Sequence, residues 1–263
     1  MDELKKLRND LDMCDEILID ALRMRCQIIQ EITNYKQKNG LPIYQAEEEE
    51  RKKSKMLAKL DDYEYKKSIM AVYDSVLYRS KRIQSHELFG FNIFLIGFMG
   101  AGKSTISDYL KNVLAMDVVE MDQCIVERQE MSISDIFETY GEEYFRELET
   151  NLLIEMQSHK NAVISCGGGA ALRERNVAEM KKNGRVVLLT ATPETIFERV
   201  KDSNDRPVLN GRKNVKGISE LMEQRREKYE AAADVVIQTD NKSILEISEE
   251  LISKLTELDE ENV

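Results

Sequence analysis

The residues that usually hold metals or redox bridges are scarce in this chain. Among its 263 residues there are two histidines, His86 and His159, and four cysteines, Cys14, Cys26, Cys124 and Cys166. No C-x-x-C spacing and no Cys/His cluster occurs, so nothing points to a zinc site. Unpaired cysteines in a chain of this size fit a reducing compartment, and the expected location is the cytoplasm. Long apolar runs are missing as well: none approaches the roughly 20 residues that span a bilayer. The opening Met-Asp-Glu-Leu-Lys-Lys is not a signal peptide, and no membrane partner is expected. Positive charge is in deficit. A formal net charge of -11 argues against nucleic acid as the main partner. An acidic protein that binds anionic metabolites must gather its Arg and Lys locally, so cations in unusual places carry the information.

What is present suffices for a folded, soluble chain: 42% of residues are apolar, enough to bury a core, and 33% are charged. Two halves differ in pattern. In the first, Leu4, Leu7, Leu11, Cys14, Leu18, Leu22, Arg25, Ile29 and Ile32 recur at three- and four-residue steps. This predicts one helix over residues 4 to 38, with no Pro or Gly until Gly40 and Pro42. At about 1.5 Å per residue it is on the order of 50 Å long. Such a helix needs a partner along its length, expected from a second subunit. Further helices are predicted at about 46 to 60 and 64 to 86, and the boundary falls at Ser85 to Phe91.

After that boundary the period changes. Asn92 to Ile96, Val118-Val119, Ala162 to Ile164, Val186 to Leu189 and Val235 to Ile237 read as short strands separated by helices. That alternation implies a parallel sheet covered on both faces. The expected domains are therefore an all-α unit, residues 1 to 88, and an α/β unit, residues 89 to 263.

Gly97-Phe-Met-Gly100-Ala101-Gly102-Lys103-Ser104 matches G-x-x-x-x-G-K-S/T, directly after a strand and opening a helix. There the backbone N–H groups turn inward around phosphate oxygens and the helix N-terminus adds positive charge. Gly100 to Thr105 are the expected ATP contacts, with Lys103 on the β- and γ-phosphates and Ser104 on Mg²⁺. Glu120-Met-Asp122 ends the second strand. Read with strand alternation, it puts both carboxylates on one side. Arg146 follows aromatic residues in Gly141-Glu-Glu-Tyr-Phe-Arg146, and Gly167-Gly168-Gly169 closes the third strand, where backbone can approach a ligand. Arg206 lies in a polar stretch, Asp202 to Lys216, expected to act as a lid. Arg225 precedes Tyr229 by one helical turn. Cys166 reads as a small core residue, and the two histidines as linker and helix-end surface.

In order and spacing these motifs resemble shikimate kinase over residues 91 to about 256. The resemblance implies a five-stranded P-loop kinase fold with a lid, ATP as co-substrate and shikimate as acceptor. Asp122, Arg146, Gly167, Gly168, Gly169 and Arg225 would surround shikimate. Arg206 would reach the phosphates, Arg199 would stack near the adenine, and Glu120 would sit near the metal. One departure is Glu120, where the family usually has Asp. Two guanidinium forks suit a planar carboxylate, but gluconate is also an acid, so another small-metabolite kinase remains an alternative. So does a nucleotide-sensing switch.

In the helical half Arg25 interrupts the apolar stripe, and a buried guanidinium is costly unless paired. Lys36, eleven residues on, lies on nearly the same face. Ser80 and Gln84 bring polar atoms onto the third helix. Leu7-Arg8, Asp15-x-x-Leu18, Arg25, Lys36, Gly40-x-Pro42-Ile43-Tyr44 and Ser80-x-x-x-Gln84 resemble the all-helical chorismate mutases, over residues 2 to 86. That resemblance implies an intertwined homodimer in which Arg25, Lys36 and the partner's Arg8 hold the dicarboxylate of chorismate. Lys36 and Gln84 would meet the ether oxygen, and Glu49 the hydroxyl. The chain departs from the pattern at Gln45, where the family has Asp, and at Glu48, where it has Arg. Arg51 could substitute. The alternative is a helical dimerisation or ligand-sensing module attached to a monofunctional kinase.

Overall fold

The computed structural model describes residues 2–201 and 214–260, and the side chains of all of these but Glu260. The chain divides into two units, Met1–Leu88 and Phe89–Val263.

The first unit contains three helices: α1 (Asp2–Lys38), α2 (Ala46–Lys59) and α3 (Lys66–Leu88). Helix α1 ends where Gly40 takes a φ of 60°. The Leu41 N–H donates to the Lys36 carbonyl at 2.9 Å and the Gly40 N–H to the Gln37 carbonyl at 3.1 Å. These two bonds form a Schellman cap, and glycine supplies the left-handed residue it requires. The C-terminal part of α1 packs on α3, burying Ile29 and Thr33. Every residue from 2 to 21 is exposed. Leu7 and Leu11 are each 60% exposed and Leu18 is 52% exposed, so the apolar stripe read in the sequence exists but is uncovered in the single chain.

The second unit is a five-stranded parallel sheet in the order β2-β3-β1-β4-β5. The strands are β1 (Asn92–Ile96), β2 (Asp117–Glu120), β3 (Ala162–Ser165), β4 (Gly184–Thr190) and β5 (Val235–Gln238). Each residue of β1 is buried, as a central strand covered on both faces requires. Helices α4 (Lys103–Leu114) and α11 (Ile244–Glu260) pack together, α4 on β1, β2 and β3 and α11 on β5. Helices α8 (Glu174–Asn183) and α10 (Val215–Ala232) pack on β4. Between them in sequence run α5 (Met121–Gln129), α6 (Ile133–Tyr140), α7 (Glu142–Glu155) and α9 (Pro193–Val200).

After β1 the chain moves towards β2, whereas after β3 it crosses to β4. The crevice between the carboxyl ends of β1 and β3 is therefore a topological switch point, where open α/β sheets bind ligands. Two readings from the sequence need correction. Glu120 is the last residue of β2, and Met121 already opens α5. Asp122 therefore lies in a helical first turn and not on an alternating strand. The polar stretch expected to run to Lys216 ends earlier: the Asn214 side chain accepts from the Gly217 N–H at 2.9 Å, capping α10, so Val215 and Lys216 are helical.

Candidate active site

The phosphate loop lies between β1 and α4. Gly100 and Gly102 have φ of 76° and 106°, a backbone region that glycine enters without steric cost. Lys103 Nζ turns back over the loop, donating to the carbonyls of Gly97 at 2.9 Å and Phe98 at 3.2 Å. Ser104 Oγ donates to Glu120 Oε2 at 3.0 Å, and Ser107 Oγ donates to Glu120 Oε1 at 2.5 Å. A hydroxyl and a carboxylate from two elements thus meet beside the loop. Hard oxygen donors of this kind suit Mg²⁺ when phosphates and water complete its shell. Glu120, one methylene longer than the usual Asp, still reaches the serine.

Arg199 is held against the loop from α9. Its Nη1 donates to the Gly100 carbonyl at 3.0 Å and to Thr239 Oγ1 at 3.1 Å. These residues border a cavity of about 800 Å³ whose wall also includes Ala101, Thr105, Glu120, Asp122 and Gly168. Met121 is fully buried in the core. The helical start therefore still leaves Glu120 and Asp122 on one cavity, although the reason is a helix entry and not strand alternation.

Opposite the loop, the three glycines after β3 gather side chains from three other elements. A Cβ on Gly167 would stand 2.6 Å from Asp122 Oδ1 and 2.7 Å from Glu149 Oε1. One on Gly169 would overlap the Arg146 guanidinium. Arg225 Nη1 approaches the Gly168 carbonyl at 3.4 Å, and the Tyr229 hydroxyl donates to the same oxygen at 2.5 Å. Asp122, Arg146 and Arg225 thus converge on one turn. Arg206 lies outside the described residues.

Glu149 joins the site although the sequence does not single it out. It has no exposed surface, its Oε2 accepts from Arg146 Nη1 at 2.7 Å, and its Oε1 has no hydrogen-bond partner among the described residues. Burial pushes its carboxyl up to about 7 against the pull of Arg146, and Asp122 adds to the rise. The available signal was Arg146-x-x-Glu149, a spacing that lets the two meet on one helix face, but it stands in a run of charges that reads as solvated. A raised folded-state value means that stability is greatest while Glu149 is protonated. It falls as pH rises from the ordinary 4.5 towards 7. The loss amounts to roughly 3 kcal/mol. Denaturant unfolding of the Glu149→Gln variant should lack this slope; an identical slope in both proteins would rule out Glu149 as its source.

In the helical unit, Arg25 Nε donates to Ser80 Oγ at 3.2 Å, joining α1 to α3. Lys36 Nζ donates to the Ile43 carbonyl at 2.8 Å. Glu49 pairs with Lys81 at 2.9 Å, and Gln84 is half-buried one turn after Ser80. Arg8 is exposed on the uncovered part of α1. Arg51 makes a two-bond pair with Glu48, at 2.7 Å each, on the outer side of α2.

A shikimate kinase family model matches residues 99–256. The chain belongs to the shikimate kinase family. Shikimate kinases of Dehalococcoides mccartyi and Persephonella marina are each 42% identical over 164 residues, which is 62% of this chain and 93% and 98% of theirs. The solved shikimate kinase of Acinetobacter baumannii, in complex with shikimate, superposes with a TM-score of 0.58 at 32% identity. That match covers 65% of this chain and 94% of the other. A model of chorismate mutase type II matches residues 7–85. The shikimate kinase unit is therefore joined to a chorismate mutase domain, with ATP as the co-substrate of the kinase family. Among the described residues no helix is long and apolar enough to cross a membrane.

Proposed function

We propose that the chain phosphorylates shikimate to shikimate 3-phosphate and also rearranges chorismate to prephenate. The convergence of Asp122, Arg146 and Arg225 on Gly167 to Gly169, beside the cavity that Lys103 also lines, carries the kinase reading. Arg146 and Arg225 would clasp the acceptor carboxylate. Asp122 would orient the attacking hydroxyl. Lys103, the backbone of Gly100 to Thr105 and, by resemblance, Arg206 would hold the phosphates. Arg199 would lie beside the nucleotide base. Mg²⁺, held by Ser104 and Glu120, would neutralise charge on the transferred group. A loose phosphoryl transition state needs such positioning more than it needs a strong base.

In the helical unit Arg25, Lys36, Glu49, Ser80 and Gln84 would bind chorismate, with Arg8 supplied by a second copy. The arrangement would favour the compact conformer and stabilise charge as the C–O bond breaks. The exposed Leu7, Leu11 and Leu18 support a homodimer through α1, because so much apolar surface on one stripe marks an interaction site. The four free cysteines support a cytoplasmic setting.

The test is a pair of assays on the full chain. Nucleoside diphosphate release is expected with shikimate and to be at least tenfold slower with quinate or gluconate. Chorismate loss is expected in the same preparation. Equal rates on gluconate would overturn the acceptor assignment. No chorismate loss at high protein concentration would leave a kinase with a helical dimerisation domain.

A further inference from the structure

Helix α2 turns an unusual face inward. Its half-buried positions are Glu48, Glu49, Lys52, Lys53 and Met56. Four of these are ionisable, where a helix packed in a small bundle ordinarily presents apolar side chains. The four sort into two rows. Glu49 and Lys53 face α3, pairing with Lys81 at 2.9 Å and Asp74 at 3.4 Å. Each charge in that row therefore has an opposite partner on the neighbouring helix.

The other row, Glu48 and Lys52, lies towards Lys36 at the end of α1. Here the charges do not balance. Glu48 gives both carboxylate oxygens to Arg51, a guanidinium fork whose side chain is 62% exposed. That pair holds the Glu48 carboxyl down at about 2. The Lys52 ammonium also pairs with Glu48 Oε1, at 3.5 Å, a longer contact than the 2.7 Å of the Arg51 fork. Lys36, which donates to the Ile43 carbonyl at 2.8 Å, is close enough that its ammonium is held below its ordinary value first by burial and then by the charge of Lys52, with Glu48 opposing. Two half-buried ammonium groups and the Arg51 guanidinium therefore share a single carboxylate, leaving an excess of positive charge on this wall. Such an excess is unfavourable without a further anion.

We propose that Lys52 binds a carboxylate of the dicarboxylate substrate together with Lys36, and that Glu48 serves to place Lys52 and to hold Arg51 away on the outer face. This rests on the mutase reading of the helical unit. It also assigns a cation to the wall of the pocket where Glu48 stands in place of an arginine, and the cation is Lys52 and not Arg51. An ammonium supplied one turn later on the same helix face reaches the same wall, because residues four apart lie one above the other.

The test uses the full chain and three variants, Lys52→Ala, Lys52→Arg and Arg51→Ala, with Lys36→Ala as the reference loss. Chorismate turnover is followed with KM and kcat resolved, and chorismate binding is followed by titration calorimetry. Helical content by circular dichroism reports folding. Lys52→Ala should raise KM and Kd about tenfold to a hundredfold, the effect of losing one hydrogen bond to a charged group, with a much smaller change in kcat. Lys52→Arg should stay within about threefold of the parent on the same grounds, since the cation is kept. Arg51→Ala removes no substrate contact but frees Glu48 for Lys52, so it should raise KM and Kd by clearly less than Lys52→Ala does. The inference is overturned if Lys52→Ala matches the parent while Lys36→Ala is lost, or if Arg51→Ala gives the tenfold effect instead. A parent chain that neither binds nor converts chorismate overturns the mutase reading and this one together. A parent that binds chorismate without converting it, with binding lost in Lys52→Ala, supports the assignment and removes only the catalysis.

Discussion

Asp122→Asn is expected to lower shikimate phosphorylation by about a thousandfold in kcat, the middle of the range for removing a positioned acid–base group. The substitution keeps the size of the side chain and removes the acceptor charge. The position of Asp122 makes a smaller effect hard to reconcile with the proposed role. It stands in the first turn of α5, where the helix N-terminus favours a carboxylate. Its Oδ1 lies within contact range of Gly167, on the turn that also gathers Arg146 and Arg225. Nucleotide binding should change little, because the phosphate loop is built from a separate segment. The measurement is coupled ADP release with saturating shikimate, alongside a nucleotide titration. A variant that keeps a tenth or more of the parental kcat would remove Asp122 from the chemistry.

Gly169→Ala is expected to raise the KM for shikimate by about a hundredfold or more while nucleotide affinity holds, the scale of a lost charged, bidentate contact. The backbone gives no reason for this: Gly169 has a φ of -102°, which any residue adopts. The reason is space. The added methyl would occupy the position of the Arg146 guanidinium. Arg146 would have to leave its pair with Glu149, and a buried carboxylate without its partner is costly. A lower melting temperature should therefore accompany the KM change. Gly168→Ala is the informative contrast. There the nearest atoms are the Gly97 carbonyl oxygen and the Tyr229 hydroxyl at 3.8 Å and Arg225 Nη1 at 3.9 Å, ordinary contact distances. That variant should fold with parental stability, so any loss of activity would report on the space left for the substrate. If Gly169→Ala bound shikimate as well as the parent, Arg146 could not be the carboxylate clamp.

The role of glycine in this site differs from one position to the next, and the sequence does not separate the cases. Gly100 and Gly102 are needed for backbone conformation, a local property that the phosphate-loop motif carries in itself. Gly167 and Gly169 are needed because side chains from α5 and α7 press against the turn. Three consecutive glycines after a strand do not say which of these applies. In the same way, Met121 could be read as a strand residue or a helix start from its neighbours alone. Both readings leave Glu120 and Asp122 together, one by alternation and the other by burying Met121 in the core.

What the sequence determined by itself was whatever depends on near neighbours along the chain. The period of the apolar residues gave α1 its length and separated an all-helical half from an alternating strand–helix half. The phosphate loop, the glycines and the spacing of Arg146 and Arg225 pointed to a kinase of this family. Only the tertiary structure decided which charges are buried and what they face. Glu149 reads as one more acid in a charged helix until the fold closes over it and moves its proton affinity. Lys52 reads as one basic residue among several until α2 turns it towards Lys36. The physical reason is the same for both. The energy of a charge depends on the medium and on the charges around it, and those are set by elements distant in the chain and brought close only by packing.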